Sequence, residues 1–291
     1  MLHQWAWSET SLILDLFTRE QGRIAVVAKG AKRPYSQLRP VLMPFQRLLV
    51  LTTRPKSDEG ADILTLRAAE YAGGGATLLP ALLFLGFYLN ELLLKLLARG
   101  DPHERLFDAY ADTLLALTHT GDESPLRAFE LLLLRETGVL PDLAVCTATQ
   151  AKVQPARAYQ LRADGGLGLA TAAEAARAPT LSGATCLALQ AALHRNDLAA
   201  LRNATAADLP ALKSQLRTLL VYHLGSPTLR TRQMMLDIRR LLDAAAEPAT
   251  PATAALPSTA AMPSTPVVLT NPATAAEPAV APEPSALTGP P

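Results

Sequence analysis

The amino-acid sequence predicts an α+β protein in which a small all-β domain precedes an all-α domain. Short hydrophobic runs separated by glycine, proline and polar clusters fill residues 12–66, a pattern typical of strands. After residue 80 the apolar residues instead recur at helical spacing. The last 45 residues hold 11 of the 23 prolines and no lysine, arginine or aromatic residue. We therefore expect three segments, at 1–74, 75–246 and 247–291.

Four hydrophobic runs predict the strands of the first domain. They are Leu12–Phe17, Arg23–Ala28, Leu48–Thr52 and Ile63–Leu66. Gly22 marks a turn between the first two runs. About five short strands in about 70 residues is the size of a small closed barrel, so we expect an OB-fold β-barrel.

Six periodic segments predict the helices of the second domain. They are Ala81–Ala98, Pro102–Leu117, Pro125–Thr137, Ser182–His194, Ala206–Leu224 and Thr228–Ala246. Pro80 stands where a proline opens a helix, Gly138 where a glycine ends one, and Pro227 marks a break. The first helix is apolar nearly all round, which predicts a place at the centre of a bundle.

Two segments do not have a regular period. Residues 145–170 predict an irregular insertion with one or two short strands, at Ala158–Leu161 and Leu167–Ala170. The segment 247–291 is too poor in large apolar residues to offset the entropy of ordering, so we expect a disordered tail. An uncharged stretch at 71–90 has the length of a membrane span, but Gly73–Gly75 and Pro80 favour a turn leading into a buried helix.

The charge is distributed unevenly along the chain. The formal net charge is +1, yet all 27 lysines and arginines precede residue 241, and three of the 26 acidic residues follow residue 246. Twenty-seven basic against 23 acidic residues give +4 to residues 1–246, and the tail carries −3. No charged n-region precedes an apolar run at the N-terminus, so we expect a cytoplasmic protein.

The strongest functional pattern is a run of cations in the first domain. Between Gln21 and Ser57 there are eight basic residues and no acidic one. They are Arg23, Lys29, Lys32, Arg33, Arg39, Arg47, Arg54 and Lys56. Such a field attracts a phosphate backbone. Aromatic residues lie among or just before these cations, and single-stranded nucleic acid is held by cations that track phosphates and rings on which bases stack.

The alternative interpretation is a solvated basic surface over an aromatic core. We expect Trp5, Trp7 and Phe45 to belong to the core, and Tyr35 can serve either role. The loop Lys29–Pro34 favours binding, because a glycine and a turn concentrate three cations without helical spacing. The candidate DNA-binding residues are Arg23, Lys29, Lys32, Arg33, Tyr35, Arg39 and Arg47.

Residues that could carry catalysis or hold a metal are not grouped in the sequence. The five histidines share no ligand spacing, and Cys146 and Cys186 cannot make a four-thiolate zinc site or a disulfide scaffold. Lys29–Pro34 lacks the second glycine and the hydroxyl residue of a phosphate loop. Gly73–Gly75 could cradle an anion or serve as a hinge. We expect no enzyme, no metal and no cofactor.

Three sets of residues resemble the bacterial DNA repair protein RecO family. The N-terminal set is Trp7-Ser8-Glu9-Thr10-Ser11, Leu14-Asp15-Leu16-Phe17-Thr18, Gly22-Arg23 and Val27-Ala28-Lys29-Gly30-Ala31-Lys32-Arg33, followed by Leu42, Pro44 and Phe45. Tyr88-Leu89-Asn90-Glu91-Leu92 resembles the family's first long helix. Leu126-Arg127, Phe129-Glu130-Leu131 and Gly138 resemble a later helix and its end. The resemblance covers residues 2 to about 242.

The resemblance implies an N-terminal OB-fold, a C-terminal helical domain and a non-catalytic recombination mediator. Proteins of this family bind single- and double-stranded DNA and anneal complementary strands. They bind the C-terminal tail of the single-stranded DNA-binding protein SSB, join RecR, and help to load RecA. The resemblance therefore implies a cytoplasmic, nucleoid-associated protein that has no membrane partner and no small-molecule substrate. The alternatives to a DNA-binding mediator are a protein–protein adaptor that does not bind DNA and an enzyme that acts on nucleic acid.

This chain departs from the family pattern at three places. Many members carry a four-cysteine zinc site where Cys146 stands alone, so zinc is not expected. The first strand is short, and Ala128 stands where the resemblance implies a second basic residue. For the SSB tail, an apolar notch beside a cation is expected from Arg127, Phe84, Phe87 and Phe129. The alternatives are core phenylalanines and surface ion pairs, in which Glu130 and Glu136 flank Arg127 and Arg135.

Overall fold

A computed structural model describes residues 1–54, 62–76, 78–119, 123–225 and 229–246. The expected tail at 247–291, Lys56 and the break at Pro227 lie outside these ranges. Residues 1–246 cluster as one compact unit. The boundary at residue 74 stays a prediction.

The N-terminal part is a five-stranded sheet with one short helix. The elements are β1 His3–Ala6, β2 Leu12–Thr18, β3 Gly22–Ala28, α1 Leu38–Val41, β4 Leu48–Thr53 and β5 Ile63–Tyr71. The strand order is β1-β2-β3-β5-β4, antiparallel except for the parallel pair β3 and β5. A partly open Greek-key sheet of this size is compatible with the expected OB-fold.

The expectation of a closed barrel is wrong. No ladder joins the edge strands β1 and β4 in the part of the chain that the structure describes. β1 has only four residues, all exposed, so it adds little apolar surface that could draw the two edges together. The sheet core lies on its inner face, where Leu14, Val26 and Leu66 pack together.

The C-terminal part is built from helices. They are α2 Pro80–Leu96, α3 Glu104–His119, α4 Ser124–Glu136, α5 Ala172–Arg177, α6 Gly183–Arg195, α7 Leu198–Ala207, α8 Leu209–Leu224 and α9 Arg230–Ala246. Five of the six predicted helices are confirmed with shifted ends. The sixth, Ala206–Leu224, instead spans the end of α7 and the whole of α8.

Two helices of the C-terminal part were not predicted from the sequence, although each has a local start signal. Thr171 and Glu174 form a capping box at the start of α5. Asp197 caps α7 by accepting a hydrogen bond from the Ala200 N–H at 2.9 Å. The insertion is more ordered than expected, because β6 Ala158–Arg162, β7 Gly166–Leu169 and β8 Leu181–Ser182 form a small antiparallel sheet. The two strands expected there are confirmed.

The helix at the centre of the bundle is α4, not α2 as expected. Every residue of α4 from Ser124 to Leu134 is buried. α2 instead joins the sheet to the bundle: Asn90 donates a hydrogen bond to the Leu2 carbonyl at 2.9 Å, and Phe87 packs on Phe45 with ring centroids 5.0 Å apart. The sequence of α2 is apolar on several sides because it contacts both the sheet and other helices.

Candidate nucleic-acid interface

The outer face of strands β1, β2 and β3 is covered at one end and open at the other. Residues opposite each other in a ladder share a face, and register pairs Trp5 with Ile13 and Ile13 with Val27. These three side chains therefore point away from the inner core of Leu14 and Val26. At the far end of the same face, Phe17 packs against the ring of Phe107 in α3, with centroids 5.6 Å apart.

Two tryptophans lie at the open end of this face. Trp5 is 43% exposed and Trp7 is 64% exposed, so the expectation that they belong to the core is wrong. The reason is that β1 is an edge strand, so no further strand covers Trp5, and Trp7 lies just beyond the end of β1. Phe45, the third expected core residue, is confirmed as buried. The two tryptophans can be recognised in the sequence as candidate stacking residues, but their exposure follows from the position of β1 at the edge of the sheet.

The loop Lys29–Pro34, which we call the cation loop, is bonded directly to the segment that carries Trp7. The Lys32 ammonium donates a hydrogen bond to the Ser8 carbonyl at 2.8 Å, and the Lys32 N–H donates to the Thr10 carbonyl at 2.9 Å. The Trp7 N–H in turn donates to the Ser11 carbonyl at 3.1 Å. These bonds hold the loop and the segment 7–11 side by side.

The turn at Gly30 directs the loop side chains outward. Gly30 has φ +71°, which favours glycine, and the Arg33 N–H closes the turn on its carbonyl at 3.1 Å. Ala31 is buried, while Lys29, Lys32, Arg33 and Tyr35 are exposed, and Tyr35 is 94% exposed. None of the three cations makes an ion pair with any residue described by the structure. Tyr35 thus has the exposure that a stacking residue needs.

Arg39 and Arg47 are exposed but are not brought beside the tryptophans. Arg39 lies on α1, and α1 packs on β5. Arg47 immediately precedes β4, the edge strand on the other side of the sheet from β1. Along the described chain neither arginine has an ion-pair partner. They extend the positive field to the far side of the sheet.

Arg23 is committed to an internal network. Its Nε lies 3.4 Å from a carboxylate oxygen of Asp15, which is almost completely buried, and it donates to the carbonyls of Leu94 and, at 3.0 Å, Leu97. Burial raises the pKa of Asp15, and the charges of Arg23 and Arg99 only partly offset that rise. We therefore leave Arg23 out of the interface. Arg99, which is 45% exposed and 3.4 Å from Asp15, was not singled out in the sequence.

The four residues expected to hold the SSB tail do not form one exposed notch. Phe129 is completely buried, Phe84 is half-buried, and Phe87 is partly covered by Phe45. The Arg127 guanidinium donates to Glu130 at 2.8 Å. The expected surface pair is therefore a buried one.

Glu130 is the centre of this buried polar group. Besides Arg127, the Tyr88 hydroxyl donates to its carboxylate at 2.6 Å. Burial raises the pKa of Glu130, and the charge of Arg127 and the bond from Tyr88 lower it in part. Ala128 is fully buried, so a cation at that position would not face solvent here. Arg135, the other arginine expected in a surface ion pair, donates to the Leu193 carbonyl.

The two cysteines of the chain are free thiols. Cys146 and Cys186 are both buried, and burial raises the pKa of Cys186 to about 12, which keeps it a thiol at neutral pH. Within the described ranges no three His, Cys, Asp or Glu side chains are grouped so that they could hold a metal ion. Over the same residues, none of the helices combines the length and apolar character needed to cross a bilayer.

Comparison with known proteins gives the class of this chain. Residues 1–71 match the family described as Recombination protein O N terminal, and residues 80–233 match Recombination protein O C terminal. These two matches follow the order of the open sheet and the helical bundle along the chain. Together they define a DNA repair protein of the recombination class. The chain belongs to the RecO family.

Relatives in several bacteria are similar over nearly their whole length. The chain is 51% identical over 247 residues to the DNA repair protein RecO of Verminephrobacter eiseniae, which covers 83% of this chain and 95% of the relative. It is 48% identical to the DNA repair proteins RecO of Acidovorax ebreus and Variovorax paradoxus, with the same coverage of both chains.

Proposed function

We propose that this protein is a DNA-binding recombination mediator that holds single-stranded DNA on the open end of the β1–β2–β3 face. The observation that carries the proposal is the junction of two exposed tryptophans with an acid-free cation loop, joined by the hydrogen bond from Lys32 to Ser8 at 2.8 Å. Arginine and lysine neutralise phosphates, and indole rings accept stacked bases. A surface with both features binds a strand without reading its sequence.

The proposed strand path begins at the cation loop and follows the outer face of β1. Lys29, Lys32 and Arg33 would contact the backbone, while Trp5 and Trp7 would contact the bases. Tyr35, which follows Arg33 by two residues and is 94% exposed, offers a further ring. Arg39 and Arg47 add field strength at the far side of the sheet, which suits the approach of a duplex or a longer strand.

Annealing follows from charge neutralisation in this proposal. Two complementary strands repel each other through their phosphates, and the repulsion falls when cations neutralise part of that charge. A strand held by stacking on a few rings can leave most of its bases free to test for pairing. The protein therefore needs no catalytic group to speed the nucleation of a duplex.

The family membership supports a further part of the proposal. We infer that the protein acts on DNA coated by SSB, joins RecR, and helps to load RecA, in the cytoplasm at the nucleoid. Contact with the SSB tail stays a prediction, and its binding site is to be sought outside the buried group of Arg127, Glu130 and Phe129.

The test is a titration of labelled, unstructured single-stranded DNA with the full chain over a series of salt concentrations. Four or five neutralised phosphates should give a slope of about −3 in log affinity against log salt. A protein that acts only as an adaptor would show weak binding without this slope. An enzyme acting on nucleic acid would consume or alter the labelled strand during the titration.

A further inference from the structure

His3 lies beside Trp5 at the open end of the β1–β2–β3 face. The two residues are two positions apart in β1, so their side chains leave the strand on the same side. Their ring centroids are 4.4 Å apart and the ring planes cross at 71°, which is an edge-to-face contact. His3 is exposed, as are the other residues of β1. One of the two rings proposed to stack on bases therefore has an exposed imidazole against it.

The register of the sheet places His3 at the border between the open and the covered end of this face. His3 is paired with Asp15 of β2, in the row next to the one that holds Trp5 on the same face. In the row after that, Phe17 of β2 is covered by the ring of Phe107. A DNA strand that stacks on Trp5 and continues along β1 toward the helices therefore meets His3 next.

The charged groups around this row leave it positive. The carboxylate of Asp15 is almost completely buried, and Arg23 of β3 and Arg99 after α2 each lie 3.4 Å from it. Asn90 of α2, which bonds the backbone carbonyl next to His3, carries no charge. One carboxylate and two guanidinium groups give a formal charge of +1 beside His3. Because the Arg99 side chain is 45% exposed, a phosphate in solvent can reach part of this charge.

The imidazole of His3 can contribute to the site in two protonation states. Imidazole side chains gain a proton between about pH 8 and about pH 5, whereas phosphodiesters keep their negative charge over that range. A neutral imidazole has one N–H donor and no charge, while an imidazolium has two donors and a full positive charge. A charged donor forms the stronger hydrogen bond to a phosphate oxygen. The number of phosphates that this face neutralises therefore depends on the protonation of His3.

We propose that His3 is a further DNA-contacting residue, which supports the Trp5 ring and, when protonated, binds the phosphate next to the base stacked on that ring. This inference rests on the proposed function, because it assumes a strand on this face. A bound phosphate favours the protonated imidazole, and by linkage protonation strengthens DNA binding by the same factor. The affinity for single-stranded DNA should therefore rise as the pH falls through the range in which imidazole gains its proton.

The test is a titration of labelled single-stranded DNA with the full chain at about pH 8 and about pH 5.5, over a series of salt concentrations. At the lower pH the wild type should bind about threefold to fivefold more tightly, and its slope in log affinity against log salt should steepen by about 0.7. His3→Gln keeps a polar side chain without a charge and should lose most of this response. His3→Arg is charged at both pH values and should show the steeper slope at both. The amino group of Met1, whose pKa burial lowers to about 6, is present in every variant, so the comparison isolates His3.

The chain offers a matched control on α8. His223 makes a similar edge contact with Tyr222, with ring centroids 5.2 Å apart, so His223→Gln should keep the full pH response of DNA binding. A second measurement needs no DNA. In Trp7→Phe, which leaves Trp5 as the sole tryptophan, the emission should change between the two pH values because a cation forms beside the indole. That change should be absent from Trp7→Phe/His3→Gln.

Three outcomes separate the possible failures. If the wild type binds no strand at either pH, the proposed function fails, and this inference fails with it. If the strand binds and His3→Gln keeps the wild-type pH response, His3 is not a contact and the inference alone is overturned. If the emission of Trp5 responds to pH through His3 but the DNA affinity does not, His3 touches the ring without binding a phosphate, which also overturns the inference.

Discussion

Glu91 of α2 caps α9 by accepting hydrogen bonds from both the backbone N–H and the hydroxyl of Thr231, at 2.9 and 2.7 Å. The Arg230 N–H donates to the same carboxylate at 2.9 Å. The free N–H groups at the start of a helix need acceptors and favour a negative charge. Here both come from a side chain 140 residues earlier in the sequence, so this contact fixes the start of α9 against α2.

Removal of the Glu91 charge should destabilise the protein. Burial raises the pKa of Glu91, but the bonds from Thr231 and Arg230 more than offset that rise, so its pKa lies below the usual value of 4.5. A lowered pKa contributes stability that is present above the unfolded-state pKa and is lost as the pH falls through the folded-state pKa. We expect Glu91→Gln to cost about 1–2 kcal/mol in urea unfolding at pH 7.

The pH dependence supplies the control for the Glu91 prediction. The difference in unfolding free energy between the wild type and Glu91→Gln should shrink as the pH drops below about 4.5, the unfolded-state value. Glu70→Gln changes an exposed carboxylate on β5 and should have little effect at either pH. An equal loss in both variants would argue against the cap.

The tryptophans should report directly on DNA. The chain has two tryptophans, and both lie on the proposed interface, so single-stranded DNA should quench most of the intrinsic fluorescence. Trp7→Ala should weaken binding by about 1–3 kcal/mol if one base stacks there, and Trp5→Ala should act similarly. Tyr222→Ala removes an equally exposed ring on α8 and should bind DNA normally. Unquenched tryptophans at saturating DNA would exclude stacking.

The cation loop should set the salt dependence. Lys29→Ala/Lys32→Ala/Arg33→Ala should weaken binding about equally for all sequences and reduce the salt slope by about 2, since each phosphate contact contributes about 0.7. The control Lys152→Ala/Arg157→Ala/Arg177→Ala removes three exposed cations from the insertion and α5. If both triple variants lower the slope equally, net charge rather than the loop governs binding. Circular dichroism should give an unchanged spectrum for each.

Arg127 should act on stability rather than on peptide binding. Arg127→Ala leaves the buried carboxylate of Glu130 without its charged partner, which should cost about 3–5 kcal/mol in urea unfolding. Replacing the pair by apolar residues, as Arg127→Met/Glu130→Leu, should recover most of that loss. If the Arg127→Ala protein were as stable as the wild type but no longer bound an SSB-tail peptide, Arg127 would instead be part of the binding site for that tail.

Most strands, most helices and the loop Lys29–Pro34 were predictable from local sequence, whereas β1 and β8 were not. Alternation and period depend on neighbours along the chain, so β2, β3, α3 and α6 follow from their own residues. The absence of acidic residues from Gln21 to Ser57 is likewise a property of the sequence alone. The same holds for Gly30 and the three cations that surround it in the loop Lys29–Pro34.

Burial and pairing were decided by tertiary structure, because they depend on which distant segment packs against a side chain. The local sequence around Trp5 is that of a core residue, yet Trp5 lies on an open edge of the sheet. The local sequence around Arg23 is that of a surface cation, yet Arg23 pairs with the buried carboxylate of Asp15. Arg127 became internal because α4 is enclosed on all sides. The sequence by itself thus determined the elements and the cation loop, whereas the fold determined which cations and rings remain free to meet DNA.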